Sequence, residues 1–294
     1  MTGIITGGHG YIGFNLLMYY VDRGYEMIVV DPNCLDSIYS QRYIHYQGKI
    51  EEFVLNEFKD IDFLVHLAGS ASVPLSVKDP MLDFDRNASA TVQILDWCKR
   101  NKVKKVVLNS SVSVLGENAR ESVSEDVLSR PISPYGLSKS VSEQYGLLYS
   151  ELFKVDVSIA RIFNVYGPGL NRLFVSDMIE KIKQGGTISF LGDGTQVRDY
   201  LFITDMVEAL DLVVQRGITG NVYNVCSGEP LSLLDLCRKI HAIVGKEELK
   251  FEFIKTHKAD ISKWYGCIEK ISNIGFKPKI TLEEGLLKTI NTCT

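Results

Sequence analysis

Runs of consecutive apolar residues alternate with amphipathic stretches along the first half of the chain. The apolar runs lie at 3–6, 27–30, 63–67, 105–108 and 155–162. Stretches with the spacing of an amphipathic helix lie between them, at 11–23, 88–99 and 138–153. Short apolar strands separated by helices are typical of a parallel sheet that is covered on both faces. The pattern therefore predicts the α/β class, with a doubly wound parallel sheet.

The pattern becomes less regular beyond Asn164. Helical spacing recurs at 174–184 and 231–244, an apolar run lies at 222–225, and a glycine-rich turn lies at 192–194. We interpret this part as a smaller C-terminal substrate domain that is partly interleaved with the first. The predicted boundaries give one unit of residues 1–165 with about 198–224, and a second unit of about 166–197 with 225–294.

Composition argues against several classes of protein. The net charge of −4 comes without a block of basic residues, so nucleic acid is not an expected partner. No apolar run approaches the roughly eighteen residues of a membrane span, and no membrane association is expected. The six cysteines are dispersed without a CxxC pair, which is typical of reduced thiols in a cytoplasmic protein. The five histidines lie far apart, and no metal site is predicted.

A glycine-rich turn follows the first predicted strand and opens the first predicted helix. Gly7, Gly10 and Gly13 have the spacing GxxGxxG, and Tyr11 and Ile12 lie at the start of the helix. Glycines allow a sharp turn and a close approach of backbone to a pyrophosphate, and a helix N-terminus favours negative charge. A glycine motif alone could be a simple tight turn. Its place between strand and helix favours dinucleotide binding and a Rossmann-type domain.

An acidic residue, Asp31, ends the second predicted strand about twenty residues beyond the turn. A carboxylate at this place can accept hydrogen bonds from ribose hydroxyls and would repel a 2′-phosphate. The alternative is a helix or turn cap, which is a common role of aspartate. Together with the glycine turn, Asp31 favours NAD over NADP.

Three residues with acid–base and hydrogen-bonding groups form a candidate catalytic set. Tyr135 and Lys139 are four residues apart, so a helix would place both on one face. A nearby ammonium group favours the phenolate, which suits tyrosine as a general base for a substrate hydroxyl. Ser111 follows the apolar run 105–108, at the end of a strand where ligands bind in this architecture. Taken singly, these residues could be a surface pair and a loop serine.

Taken together, these features resemble the extended short-chain dehydrogenase/reductase family, in its NAD-dependent nucleotide-sugar epimerase/dehydratase branch. The pattern is closest to enzymes of the UDP-glucose/galactose 4-epimerase type, and the likeness extends over nearly the whole chain. The motifs that carry it are at 6–13, 66–69, 109–111, 135 with 139, 161–168, 192–200, 223–225 and 275–278.

The resemblance implies NAD as cofactor and gives roles to individual residues. Ser111, Tyr135 and Lys139 match the catalytic residues of the family. The glycine turn and Asp31 match cofactor-binding positions, and further positions of this kind follow. They are Leu67, Ala68, Gly69 and Asn87, together with Tyr135 and Lys139 themselves.

Substrate contacts are implied in the same way. Asn164 matches a residue near the sugar diphosphate, Arg198 matches an arginine on the diphosphate, and Ser111 would contact the sugar. Without the family, Arg198 could be half of a surface ion pair with the next residue. His257 replaces the usual arginine that precedes a late aspartate. Trp264 lies near the place where similar epimerases adjust room around the sugar, with a buried core aromatic as the alternative.

The residues after Ser111 bear on the type of reaction. Similar 4,6-dehydratases carry an acidic pair there and similar decarboxylases a glutamate, whereas this chain has Val112 and Ser113. Neither can transfer protons for water loss, so epimerisation of a nucleotide-diphosphate sugar at C4 is favoured. Leu115 stands where the family often has tyrosine. A 4-keto-sugar reductase is the main alternative, and a non-catalytic NAD-binding protein is a remote one.

The resemblance also implies a homodimer that forms through two helices of each subunit. The apolar faces of 88–99 and 138–153 could supply the contact. The same faces could equally pack inside the monomer.

Overall fold

Seven parallel strands form the main sheet within the part of the chain that the structure describes. The computed structural model describes residues 1–34, 40–56, 58–116, 120–170, 174–244, 248–254 and 263–292. The strands follow one another across the sheet in the order β3 (Ile44–Gln47), β2 (Glu26–Asp31), β1 (Thr2–Thr6), β4 (Phe63–His66), β5 (Lys105–Ser111), β7 (Val157–Ile162) and β11 (Asn221–Val225). All neighbours are parallel, so every strand presents its carboxyl end at one edge.

Helices cover both faces of this sheet, as a doubly wound fold requires. Successive strand residues point to opposite faces, and Ile4 and Ile5 accordingly lie in different apolar clusters. One cluster includes residues of α1 (Tyr11–Val21) and α8 (Ile203–Arg216), and the other includes residues of α5 (Ala90–Arg100) and α2 (Ile50–Phe53). The predicted fold class is confirmed.

Two helices differ from the sequence expectation in ways that affect the candidate site. The stretch predicted at 88–99 is preceded by α3 (Val73–Lys78), α4 (Pro80–Phe84) and a π-helical turn over Asp85–Ser89. The helix predicted at 138–153 is α6 (Pro134–Phe153), which begins four residues earlier. The hydroxyl of Ser133 caps it by accepting from the amide of Gly136 at 3.1 Å, and proline is favoured in the first turn.

Smaller sheets are built mainly from the second half of the chain. Strands β12 (Pro230–Ser232), β10 (Val197–Phe202), β14 (Lys263–Gly266) and β6 (Arg120–Val123) lie side by side, and β8 (Asn164–Tyr166) also pairs with β10. Strands β9 (Thr187–Leu191) and β13 (Lys250–Ile254) form a separate pair. The remaining helices are α7 (Phe174–Lys183), α9 (Leu233–Val244), α10 (Glu269–Asn273) and α11 (Leu282–Thr292). Because β6 comes from the first half, the two parts of the chain are interleaved.

A buried ion pair fixes α6 against the main sheet. The guanidinium group of Arg161, on β7, donates to both carboxylate oxygens of Glu143 at 3.0 and 2.9 Å. The two side chains are only 4% and 8% exposed. A forked, two-point contact of this kind has a defined geometry, so it sets the register of the helix on the strand.

Neither a membrane-spanning helix nor a cluster of metal-ligating side chains occurs among the described residues. No helix among them is long and apolar enough to cross a membrane. No group of three or more histidine, cysteine or acidic side chains among them could hold a metal ion.

Candidate active site

The glycine-rich turn joins β1 to α1 at the carboxyl edge of the main sheet. Gly7 has φ of +69°, a conformation that side chains other than glycine rarely adopt. A Cβ added to Gly13 would lie 2.2 Å from the carbonyl oxygen of Gly7, so the helix can approach the turn only with glycine there. No side chain caps the helix, whose N-cap residue is Gly10. Tyr11 and Ile12 form its first turn, and the cradle fits a pyrophosphate group.

Replacement of Gly13 by alanine is expected to distort this turn. The added methyl group must displace the backbone of Gly7, so we expect NAD affinity to fall at least about tenfold and stability to fall by about 1–3 kcal/mol. Isothermal titration of cofactor-free protein with NAD and chemical denaturation measure the two effects. Gly186→Ala is the matched control, because its added Cβ would meet only the carbonyl oxygen of Lys181, at 3.4 Å. Unchanged NAD affinity in Gly13→Ala would contradict this assignment of the turn.

Asp31 lies at the end of β2, beside the turn. It is only 5% exposed, and its carboxylate accepts hydrogen bonds from the backbone amides of His9 at 3.1 Å and Asn33 at 2.9 Å. These two amides hold the carboxylate in place but leave further acceptor positions on its oxygens. The arrangement fits a ribose diol better than a phosphate, because a second negative charge here would be repelled.

The loop after β4 lies against the glycine turn. The amides of Leu67 and Ala68 donate to the backbone oxygen and the hydroxyl of Thr6, at 3.0 and 3.3 Å. Gly69 follows, and an ideal Cβ on it would lie 2.4 Å from Oδ1 of Asn87. That oxygen is buried without a hydrogen-bond partner. A buried acceptor in this position fits a polar donor of a bound dinucleotide.

The catalytic candidates meet where β5 ends and α6 begins. Ser111 is the last residue of β5, and its hydroxyl acts to lower the pKa of the nearby Tyr135. Tyr135 and Lys139 lie one turn apart on α6, and both are more than nine-tenths buried. The ammonium group of Lys139 donates to the backbone oxygen of Asn109 at 3.1 Å. The structure therefore brings the three residues predicted from sequence into one buried cluster.

Burial has the largest effect on the protonation of these groups. It raises the pKa of Tyr135, and the hydroxyl of Ser111 only partly offsets this effect. Burial also lowers the pKa of Lys139 to about 8, against the carboxylates of Asp83 and Glu143. The two carboxylates oppose the effect of burial and favour the ammonium form.

Two candidate substrate residues lie on neighbouring strands of the smaller sheet. Asn164, on β8, donates its amide to the backbone oxygen of Asp199 at 3.0 Å. Arg198 lies on β10, with its guanidinium carbon 4.7 Å from the centre of the Trp264 ring. The alternative of a surface ion pair is wrong, since Asp199 is fully buried and accepts from the backbone amides of Ser227 and other residues.

Trp264 lies between the substrate candidates and the catalytic ones. It packs against a small apolar cluster that includes Val112, directly after Ser111, and Phe163, directly before Asn164. The ring is half-buried, and its indole nitrogen has no hydrogen-bond partner. These contacts are those of a partly buried aromatic side chain, and the role of Trp264 beside the sugar stays a prediction. His257 lies outside the described residues.

Sequence reasoning missed several buried polar residues around this cluster. His66 is buried on β4 with its Nδ1 2.7 Å from the hydroxyl of Thr6, and burial lowers its pKa to about 3, which keeps it neutral. Asp83 is only 3% exposed and lies four residues before Asn87. The spacing of Asp83 and Asn87 on one helix face was the signal that could have identified the carboxylate.

Comparison with known proteins agrees with this geometry. A model of the family described as "NAD dependent epimerase/dehydratase family" matches residues 4–226. The UDP-glucuronate 4-epimerase of Thermodesulfobacterium geofontis is 28% identical over 309 residues, which cover 98% of this chain and 94% of that protein.

Solved structures are similar over the whole length. The UDP-glucose 4-epimerase of Thermotoga maritima, crystallised with UDP-glucose, has a TM-score of 0.91 and 28% identity, and covers 100% of this chain and 98% of that one. The UDP-glucuronic acid 4-epimerase of Bacillus cereus, in complex with UDP-glucuronic acid and NAD, has a TM-score of 0.88 and 27% identity, and covers 99% and 98%.

Proposed function

This chain belongs to the NAD-dependent epimerase/dehydratase family, and we propose that it interconverts the C4 epimers of a UDP-linked sugar through a 4-keto intermediate. One observation carries the choice of reaction. Ser111 and Tyr135 lie together where β5 ends and α6 begins, and the positions that follow Ser111 hold Val112 and Ser113. Hydroxyl groups suffice for moving a proton to and from C4–OH, whereas elimination of water needs an added acid and base.

The chain supplies positioning and a path for the proton. Ser111 would hydrogen-bond the C4 oxygen and orient it towards Tyr135, whose phenolate would accept the C4 hydroxyl proton to become the phenol and would later return that proton. Lys139 would stabilise the phenolate by its charge. NAD, which the glycine turn and Asp31 would hold, would supply reversible hydride acceptance for oxidation at C4 and reduction of the resulting ketone. Arg198 would hold the substrate diphosphate, and the guanidinium fork suits phosphate oxygens.

A 4-keto-sugar reductase remains the second candidate, since it would use the same three residues once. One feature separates the two activities in practice. An epimerase regenerates its cofactor in each cycle, whereas a reductase consumes reduced cofactor. Asp31 disfavours NADPH as that reductant, because its carboxylate would repel the 2′-phosphate.

The proposed activity can be tested with purified protein and proton NMR. We would incubate the protein with UDP-, dTDP-, GDP- and CDP-hexoses and UDP-glucuronate, with no cofactor added and then with NAD. Appearance of the C4 epimer of a UDP-sugar is the expected result. No epimer with any sugar, followed by consumption of NADH with a 4-keto sugar, would replace the proposal with the reductase.

The two units predicted from the sequence are assigned to different ligands. We propose that residues 1–165 with about 198–224 bind NAD, and that about 166–197 with 225–294 bind the nucleotide sugar. The glycine turn and Asp31 support the first assignment, and Arg198 with Trp264 supports a substrate site near the border of the two. We further infer a cytoplasmic location from the dispersed cysteines.

We also propose that the protein is a homodimer. Tyr145, Leu148 and Leu152 are exposed at helical spacing on α6, and Met81 and Phe84 are exposed on α4. Large apolar side chains grouped on the surface are typical of a contact between subunits. Light scattering of the purified protein, with Leu148→Glu as the variant expected to be monomeric, tests the assignment.

A further inference from the structure

A line of buried polar side chains lies between α6 and the helices before it. Asp83, Asn87 and Thr91 follow one another at four-residue intervals, on α4, the π-helical turn and α5. Ser138 and Ser142 face them from α6, with Ser138 donating to Asp83 at 2.8 Å and Thr91 donating to Ser142 at 3.1 Å. Such a turn inside a helix is often found at functional sites.

Asp83 is the residue of this line that carries a charge. Its two carboxylate oxygens accept from Ser138 Oγ at 2.8 Å and from Asn87 Nδ2 at 3.0 Å. Both partners are neutral, and the carboxylate is only 3% exposed. A buried carboxylate is costly unless a cation compensates it. Lys139, the catalytic candidate, directly follows Ser138 on α6, and the negative charge of Asp83 raises its pKa.

The carboxylate determines which way the amide of Asn87 faces. An ionised carboxylate only accepts hydrogen bonds, so Asn87 must present its Nδ2 to Asp83. Its Oδ1 therefore points the other way, where it is buried without a partner and faces Gly69. This is the loop that lies against the glycine turn.

Other charged groups around Lys139 are already compensated or neutral. Glu143, on the same helix, has both carboxylate oxygens engaged by Arg161. His66, on β4, is neutral because burial lowers its pKa to about 3. Burial raises the pKa of Tyr135, which favours its neutral phenol. Asp83 is thus the carboxylate near Lys139 whose described hydrogen bonds come only from neutral groups.

We propose that Asp83 is a positioning residue, which aims the Asn87 Oδ1 at a hydroxyl or amide donor of the bound dinucleotide and keeps Lys139 in its ammonium form. The proposal rests on the proposed function for the role of Lys139, and on the fit of the cofactor cradle for the role of Asn87. Asp83 acts through these two residues and touches neither cofactor nor substrate itself.

The first test measures NAD binding, which is independent of any sugar turnover. Titration of cofactor-free protein should show that Asp83→Asn binds NAD roughly threefold to tenfold more weakly, the effect expected for one misdirected hydrogen bond. In a protein that already carries Asn87→Ala, the further change Asp83→Asn should lower NAD affinity little, because Asp83 acts on NAD binding through Asn87. Asp96→Asn, at an exposed carboxylate on α5, is the control and should bind NAD as the wild type does.

The second test measures the pH dependence of kcat. Activity should fall as pH rises through the pKa of Lys139, which burial places at about 8. Removal of the carboxylate of Asp83 lowers that pKa, so the alkaline limb of Asp83→Asn should move to lower pH. Asp83→Glu keeps the charge but displaces the carboxylate. The alkaline limb of its kcat profile should therefore stay at the wild-type pH, while its NAD affinity falls.

The outcomes separate this proposal from the proposed function. A folded Asp83→Asn with wild-type NAD affinity and an unmoved alkaline limb would overturn the proposal, even if epimerisation is confirmed. If Asp83→Asn does not fold, wild-type NAD affinity in Asp83→Glu overturns the positioning role. If no sugar is turned over, the proposed function fails, while NAD affinity of the Asp83 and Asn87 variants still decides the positioning of Asn87.

Discussion

Replacement of Tyr135 by phenylalanine is expected to lower kcat by a factor of about 10²–10⁴, the usual contribution of a positioned acid–base group. The change removes one oxygen atom from a side chain that is only 7% exposed and lies beside Ser111. The aromatic ring keeps its packing, so NAD affinity and thermal stability should change little. The proton that leaves the C4 hydroxyl would then have no acceptor on this chain at that place.

The measurement is the initial rate of C4 epimer formation, followed by proton NMR on the UDP-sugar that the wild type accepts. Tyr145→Phe is the matched control, because this tyrosine lies on the same helix and is 40% exposed. Its rate should equal that of the wild type. Turnover of Tyr135→Phe within about threefold of the wild type would mean that another group takes the proton.

Replacement of Arg161 by methionine is expected to lower the free energy of unfolding by about 3–5 kcal/mol, the usual cost of leaving one partner of a buried ion pair alone. The carboxylate of Glu143 would stay buried between α6 and β7 without its forked partner. The further contact of Arg161, to the backbone oxygen of Glu125, would also be lost.

Urea denaturation at neutral pH measures this loss. The control is Arg100→Met, which removes one half of an exposed pair with Asp96 and should cost less than about 1 kcal/mol. The double variant Arg161→Met, Glu143→Leu should recover much of the stability, because two apolar side chains of similar size leave no unpaired charge. Equal stability of the single and double variants would contradict the electrostatic explanation.

The first half of the fold follows closely from sequence because its strands are buried on both faces. A run such as 27–30 has no polar position, and β2 is found at Glu26–Asp31 around it. The edge strand β3 was missed, since its residues are mostly exposed or half-buried and show no apolar run. Periodicity is a signal of burial, and a strand at the edge of a sheet gives a weak one.

The catalytic candidates could be predicted from the sequence, but their burial and their pKa values could not. Ser111, Tyr135 and Lys139 were identified from spacing, and the structure brings them together. The raised pKa of Tyr135 could not be read from spacing, because it depends on how much water the folded chain excludes. Asp83 was missed for a related reason, since a carboxylate on a helix is usually exposed and only packing of α4 against α6 buries it.

The pairing of β6 with β14 has a consequence for synthesis on the ribosome. Arg120 pairs with Lys263 and Val123 with Gly266, so β6 has no strand partner until the much later β14 has been synthesised. Contacts between such distant parts of a chain form slowly, because a long loop must close first. During that interval β6 is an unpaired strand, and an unpaired strand edge favours association with other chains.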